Sequence, residues 1–505
     1  MLSIFDRGAP PPAPAPFNLA HHVLTSGAPE PDKIALAILD LSRAERWSYA
    51  RLEQAVRGTA TGLLDAGLAP GDRVLMRLGN DVSFPIAYLG AIAAGLVPVP
   101  TSALLTEGET ARILSDLAPR AILRAEGVAC PTTDIPTFSS ADMTRWRDLP
   151  PAAYHMGDPD RLAYIVYTSG TSGAPRAVCH AHRAIWARRM MIDGWYGLGP
   201  SDRLLHAGAF NWTFTLGTGL MDPWTMGATA LIPAPGVRHD QLALLMKRHE
   251  ATIFAAAPGV YRNLLKSTLP PMPKLRHGLS AGEKLSPAIR SRWTEATGTE
   301  IHEAYGMSEC STFISQAPDA PSPPETLGRP QPGRRVAILG PDGPVPRGEP
   351  GEIAVHQSDP GMMLRYHDQP EETAQRFRDG WFLTGDRGIM GDGDTITYLG
   401  RGDDMMNAGG VRVSPIEVES ALSRFPGITE IGATDIEVKD GVRVIAAFYT
   451  GPEPLDPEAL ARFAEAHLAR YKQPRLYIHL DTLPKNPNGK LLRRDLARHY
   501  RPPSS

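Results

Sequence analysis

Two hydrophobic periods alternate along most of this chain. From Ala50 to Gly67 the apolar positions Leu52, Val56, Ala60 and Leu63 recur at helical spacing, which predicts a helix with one buried face. Gly67 is placed to cap its end. Arg73 to Leu78 reads as a strand, Val82 to Ala94 as a second helix, and Gly95 to Val99 opens the next strand. Thr110 to Leu117 then reads as helix and Arg120 to Leu123 as strand. This alternation predicts parallel sheet covered by helices. Upstream, Ala9 to Pro16 is all Pro and Ala and is expected to be extended, with Phe17 to Leu24 as the first helix. Cys130 to Pro151 carries little periodic signal.

The pattern resumes with a short apolar run, Leu162 to Val166, read as a buried strand. A loop rich in Gly, Ser and Thr follows, and Ala177 to Met191 is expected to be a helix. Strands are predicted at Arg203 to His206, Ala228 to Ile232, Ile253 to Ala256, Leu275 to Leu279 and Glu300 to His302. Helices are predicted between them at Gln241 to His249, from Tyr261, and at Pro287 to Thr297. Past Pro318, Pro and Gly become dense and short strands dominate, which suggests a β-rich subdomain. Beyond the polar break Gly400 to Asp404 lies an α+β segment long enough to be a small domain. The expected class is therefore α/β. Residues 1–402 would form a large N-terminal domain of parallel-sheet layers, with a β-rich subdomain at about 320–400. Residues 403–505 would form a small α+β C-terminal domain.

Composition narrows the class of partner. The 505 residues are 42% hydrophobic and 21% charged, as in an ordinary globular protein, and are too many for one core. A net charge of −3 leaves no electrostatic footprint for nucleic acid or an anionic membrane, so neither is expected as a partner. Arg334-Arg335 and Arg493-Arg494 are read as solvated faces. The three cysteines, Cys130, Cys179 and Cys310, lack metal-ligand spacing and are expected to be buried thiols in a reducing compartment. There is no signal-peptide pattern, no apolar run of membrane-spanning length and no peroxisomal address at Arg-Pro-Pro-Ser-Ser, so a cytoplasmic location is expected.

The stretch with the clearest chemistry is Tyr-Thr-Ser-Gly-Thr-Ser-Gly-Ala-Pro-Arg, residues 167–176. Its glycines let backbone approach an anion, its free N–H groups can cup phosphate oxygens, and Thr168, Ser169, Thr171 and Ser172 add neutral donors. No Gly-Lys-Ser/Thr ends it, so it is not a Walker loop. Taken alone, such a run is as well read as a solvated linker.

Its company decides. Residues 164–180, YIVYTSGTSGAPRAVCH, are followed in order by EAYGMSE at 303–309, TGD at 384–386, GRGDDMMNAGGVRVSPIEVE at 400–419 and PKNPNGK at 484–490. This series resembles the adenylate-forming enzymes: acyl-CoA synthetases, luciferases and nonribosomal adenylation domains. The resemblance implies ATP, Mg²⁺ and coenzyme A as cofactors and cosubstrates, a carboxylic acid as substrate, and a C-terminal domain that is mobile. It implies nucleotide binding by Thr168, Ser169, Gly170, Thr171, Ser172, Gly173, Arg176, Gly282, Tyr305, Asp386 and Arg401. By the same resemblance Glu309 is the metal-linked glutamate and Ser308 stands where the family usually has Thr, keeping a hydroxyl for phosphate. Lys490 resembles the lysine that bridges carboxylate and α-phosphate. Asp403 resembles the hinge, and Gly409 and Gly410 the lining of the CoA channel.

Two positions depart from the family pattern. Arg176 replaces the usual Lys after Pro175, keeping charge but changing its geometry. Asn407 stands where many relatives have Lys, which leaves the CoA contact open. His180, His182 and His206 are read as structural, because a carboxylate is already ionised at pH 7 and adenylation needs no general base.

The N-terminal half, from FNLAHHVL to VPVPTSALLT, looks most like benzoate–CoA ligases. The implied acid is aromatic, alicyclic or short- to medium-chain aliphatic, with Trp212, Thr213, Phe214, Ala281 and Gly306 as pocket walls. Two rivals stand beside this reading. One is an acyl-AMP-forming enzyme that passes the acyl group to a separate carrier or amine. The other is an inactive nucleotide-binding relative. A homodimer is allowed for and not specified.

Overall fold

The computed structural model describes residues 1–8, 10–168, 176–323, 325–402, 404, 406–408, 411–439, 442–486 and 489–500. Their centre is a sheet in which Ile34–Leu39, Thr229–Pro233, Arg203–His206, Ile253–Ala256, His277–Ala281 and Ile301–Met307 lie side by side in that order, all parallel. Antiparallel strands Ala44–Ser48 and Ser311–Ser315 flank it. The inner strands are buried almost throughout, which is why they read as short apolar runs rather than as alternation. A second parallel sheet has the order Val97–Pro100, Arg73–Arg77, Ala121–Arg124, Thr137–Ser139.

The long helix Tyr49–Asp65 packs between these layers. Ser48 caps its start by accepting from the Arg51 N–H at 3.3 Å. Its apolar stripe, including Leu52, Val56, Ala60 and Leu63, is fully buried. Gly62 costs helix propensity but admits a neighbour: a Cβ there would come within 2.2 Å of the Trp146 ring. Trp146 ends helix Ser140–Trp146, inside the region with little periodicity. That helix is short and only Met143 is buried, so no stripe announces it. Its signal is the capping box, in which Ser139 and Asp142 each accept from the other's backbone N–H.

The stretch 177–191 corrects the sequence reading. Arg176–Ala181 is a strand, paired antiparallel with Leu162–Thr168, and helix is confined to Ala184–Ala187. Residues 177–181 are buried on both faces, so the period-two signature is lost and the run passes for a buried helix. Arg365–Tyr366 adds a third strand to this hairpin.

The β-rich segment forms an antiparallel sheet in the order Ile4–Asp6, Arg335–Gly340, Pro350–His356, Trp381–Met390, with Ile396–Arg401 on the last strand. The N-terminal strand joins it across more than 300 residues, pairing Ile4 with Ala337. The reading of Arg334 as solvated is also corrected. It is fully buried, donating to Asp359 Oδ1 at 2.6 Å and to the Thr312 carbonyl at 2.8 Å.

Near the C-terminus, Glu430–Lys439 and Val442–Thr450 pair antiparallel, and Leu476–His479 joins them in parallel. Helices Pro415–Leu422 and Pro457–His467 cover this sheet, with Val418, Leu422, Ile445, Leu460 and Ala464 buried beneath them. Glu430 ties the segment to the body through Arg262, and also pairs with Lys485 of its own segment. No described helix is long and apolar enough to cross a membrane. The three cysteines are buried and free.

Candidate active site

The carboxyl ends of the central parallel strands share one rim, the usual place for a ligand in an open α/β sheet. Strand register sets the neighbours. Ala281 lies beside Ala304, so the Ser-Ala-Gly-Glu turn and the EAYGMSE segment are adjacent. Gly282 has φ +94°, and the Trp212 ring sits where its Cβ would be, 2.7 Å away. Only glycine meets both conditions at once.

Tyr305 leaves that rim toward the antiparallel sheet. Its Oη donates to Asp386 Oδ2 at 2.5 Å, and Tyr398 Oη donates to Asp386 Oδ1 at 3.0 Å. Asp386 and Arg401 face each other across a strand pair, so TGD and GRGD form one patch. A carboxylate has about four lone-pair sites, so Asp386 keeps acceptor capacity beside the two tyrosines.

Glu309 is buried, and its Oε1 accepts from Tyr366 Oη at 2.8 Å. Burial, with the carboxylate beside it, raises the Tyr366 pKa and keeps the phenol a donor. The Arg176 guanidinium lies 5.5 Å from the Tyr366 ring centre and forms an ion pair with Glu372. His180, on the strand that follows the glycine loop, bonds the Ser308 carbonyl through Nε2 at 2.7 Å. Its ring stacks on Tyr164 at 5.0 Å. Burial pushes His180 down to about 4, against a smaller upward pull from that carbonyl, so the ring is neutral. His182 accepts from the Leu19 N–H at 3.0 Å, a packing role.

Of the expected pocket walls, Thr213 lines a cavity beside Ser308. Phe214 is buried against Trp195 at 5.8 Å and His206 at 4.5 Å, and Ala281 is buried nearby. Gly306 pairs with Thr312, and a Cβ on it would meet the Ser311 carbonyl at 2.2 Å. Its role here is to permit strand pairing. Lys490 is exposed. Its N–H donates to Asn486 Oδ1 at 2.9 Å. Burial raises the Glu283 pKa, opposed by Arg262, Lys485, Lys490 and Arg493. Thr168 ends a described strand, while Ser169, Gly170, Thr171, Ser172, Gly173, Asp403, Gly409 and Gly410 lie outside the described residues. Asn407 is within strand Met406–Ala408.

Sequence reasoning missed Arg188, which lines the cavity. Its Nε and Nη2 donate to the two Asp222 oxygens at 2.8 and 2.6 Å, and Tyr196 Oη donates to Asp222 Oδ2 at 2.7 Å. Burial works most strongly against the guanidinium charge, but Asp222, Tyr196 and Tyr164 together outweigh it and the pKa rises. An arginine in an apolar stretch gave no signal, because its partner is 34 residues away. Asp222→Asn leaves that cation underpaired, so stability should fall by about 3 kcal/mol in urea unfolding. A loss below about 1 kcal/mol would mean that water screens the pair.

The AMP-binding enzyme family model matches residues 24–367, and the model of the AMP-binding enzyme C-terminal domain matches 417–490. A benzoate–CoA ligase of Thauera aromatica is 31% identical over 97% of this chain and 98% of its own. The solved benzoate CoA ligase of Burkholderia xenovorans LB400 superposes with a TM-score of 0.84 at 27% identity, covering 95% of this chain and 100% of its own. ATP-bound MatB of Rhodopseudomonas palustris gives 0.87 at 26% identity, covering 96% and 99%. Both family models match in order along the chain, and the protein belongs to the AMP-binding enzyme family.

Proposed function

We propose that the protein is an ATP-dependent acid–CoA ligase working through an acyl-adenylate, with AMP and pyrophosphate as products. The observation that carries the reading is the convergence of segments far apart in sequence. His180 reaches Ser308 across 128 positions, and Tyr305 reaches Asp386 across 81.

In this reading an acid carboxylate oxygen attacks the α-phosphorus, and the bond from that phosphorus to pyrophosphate breaks. The Lys490 ammonium stabilises the charge that builds between the two anions. Asp386 accepts from the ribose hydroxyls, Tyr305 lies against the base, and Arg401 and Arg176 contact the nucleotide. Ser308 and the loop of Thr168, Ser169, Gly170, Thr171, Ser172 and Gly173 donate to phosphate oxygens. No described group of three or more His, Cys, Asp or Glu side chains could hold a metal by itself. One buried carboxylate fits an ion that takes most of its oxygens from the triphosphate, so Glu309 would hold Mg²⁺, which neutralises phosphate charge when bound.

The second step needs a different face. Residues 403–505 turn about Asp403 and bring Gly409 and Gly410 to the pantetheine arm. The CoA sulfur then attacks the acyl carbonyl, and the carbon–oxygen bond to AMP breaks. The acid is aromatic, alicyclic or a short- to medium-chain aliphatic one, and catalysis takes place in the cytoplasm. Pyrophosphate release across a panel of such acids, with and without CoA and with products identified by mass, tests this. Acyl-CoA is the expected product. Acyl-AMP without acyl-CoA would favour another acceptor, and no turnover would favour an inactive relative.

A further inference from the structure

The cavity beside Ser308 has apolar walls from Leu216, Met221 and Met307, but it also gathers polar groups that nothing in the two-step reaction uses. Tyr88 is completely buried on helix Ser83–Ala93, and its Oη has no hydrogen-bond partner among the described residues. The same holds for His180 Nδ1, whose other ring nitrogen is on the Ser308 carbonyl. Buried polar atoms without partners are rare in native proteins, and two on one cavity point to a missing occupant.

Arg188 and Ser311 complete the set. Arg188 Nη1 donates to Ser311 Oγ, which uses one of its two N–H bonds and leaves the serine proton free to donate. Ser311 is held at φ +62°, a conformation seldom taken by a residue other than glycine, asparagine or aspartate. Such strain collects where a side chain must be aimed. The cavity thus offers donors from Arg188 and Ser311, a Tyr88 hydroxyl able to give or accept, and an acceptor or donor at His180 Nδ1.

We propose that this cavity, about 20 Å³ and so room for one water-sized group, takes only the terminal group of the acid, and that this is a neutral hydrogen-bonding group, in the simplest case a hydroxyl, met by Tyr88, Ser311 and Arg188. The inference rests on the acid–CoA ligase reading. A second carboxylate is a poor fit, because Asp222 already matches the Arg188 charge and the extra anion would be buried without a partner. An apolar tail is a poor fit as well, since it would displace any water that satisfies these groups and leave them unpaired. A site built to bond a hydroxyl discriminates strongly against the analogue that lacks it, whereas an apolar pocket discriminates weakly.

The test compares pyrophosphate release, as kcat/KM, for benzoate with 3- and 4-hydroxybenzoate, and for hexanoate with 6-hydroxyhexanoate and adipate. At least one hydroxylated acid should exceed its parent by about tenfold or more. Adipate should fall below 6-hydroxyhexanoate. In Tyr88→Phe and in Ser311→Gly, the ratio of hydroxylated to parent acid should drop about tenfold. The glycine suits the left-handed backbone at 311, so that variant keeps the fold. Parents equal to or better than every hydroxylated acid would overturn the proposal and leave the cavity to water. A ratio unmoved in both variants would overturn it too. No release from any acid would instead remove the ligase reading, and this proposal with it.

Discussion

Lys490→Ala should lower formation of acyl-AMP by about 10³-fold, the scale for removing one preorganised charge from a developing anion. Thioester formation from supplied acyl-AMP should stay within about threefold of the parent rate, because an interaction made in one transition state is lost from that step alone. The structure gives the lysine a defined platform. Its N–H donates to Asn486 Oδ1, and its carbonyl accepts from the Asn486 N–H, both at 2.9 Å. The residue is exposed, so its ammonium can reach a polyanion. Single-turnover measurements of each half-reaction decide the matter. Equal loss in both would assign Lys490 to folding or domain docking.

The second large effect is on stability, as pH falls. Burial pushes His22, His180, His277 and His302 down to about 4, and His182 and His206 down to about 3. Each folded-state value lies below the ordinary 6.5 of an exposed imidazole. The unfolded chain therefore takes up these protons first. Their contribution is complete above pH 6.5 and is lost as pH falls from there toward 4. Each group removes about 1.4 kcal/mol per pH unit within that window. Six together can cancel a net stability of roughly 5–15 kcal/mol within about two units. The urea midpoint should be level from pH 7 to 8 and collapse before pH 4.5. A midpoint unchanged at pH 5 would show that the cavities around these rings admit water.

The two outcomes bear on the same design choice. His206 has no hydrogen-bond partner on either nitrogen among the described residues and packs edge-on against Phe214. His180 carries the Ser308 carbonyl and stacks on Tyr164. Neutral imidazoles can serve as flat, stiff walls around an anion site without adding charge that would compete with the nucleotide. The proposed adenylation needs no general base from them, because the acid is already a carboxylate at neutral pH.

Much of the helix and strand order was legible along the chain. Arg203–His206, Ile253–Ala256 and Pro287–Thr297 have the bounds that their patterns predict. The errors have local physical causes. Arg176–Ala181 is buried on both faces and loses its alternation, and Ser140–Trp146 buries one residue and shows only its cap. Arg334 looked solvated because its partner Asp359 lies 25 positions away, in another strand's loop.

Short-range information was enough for the class of fold and for the ordered motif series, because turn chemistry, helical stripes and loop glycines act within a few residues. The family followed from that series alone. Which motifs touch was decided by the tertiary structure. Tyr305 meets Asp386 because two sheets abut, and Asp386 faces Arg401 because of strand register. The Tyr88, Arg188 and Ser311 cluster had no sequence signal at all. Its members lie on three elements, and a buried hydroxyl or guanidinium becomes chemically specific only when folding removes water and brings the other groups to it.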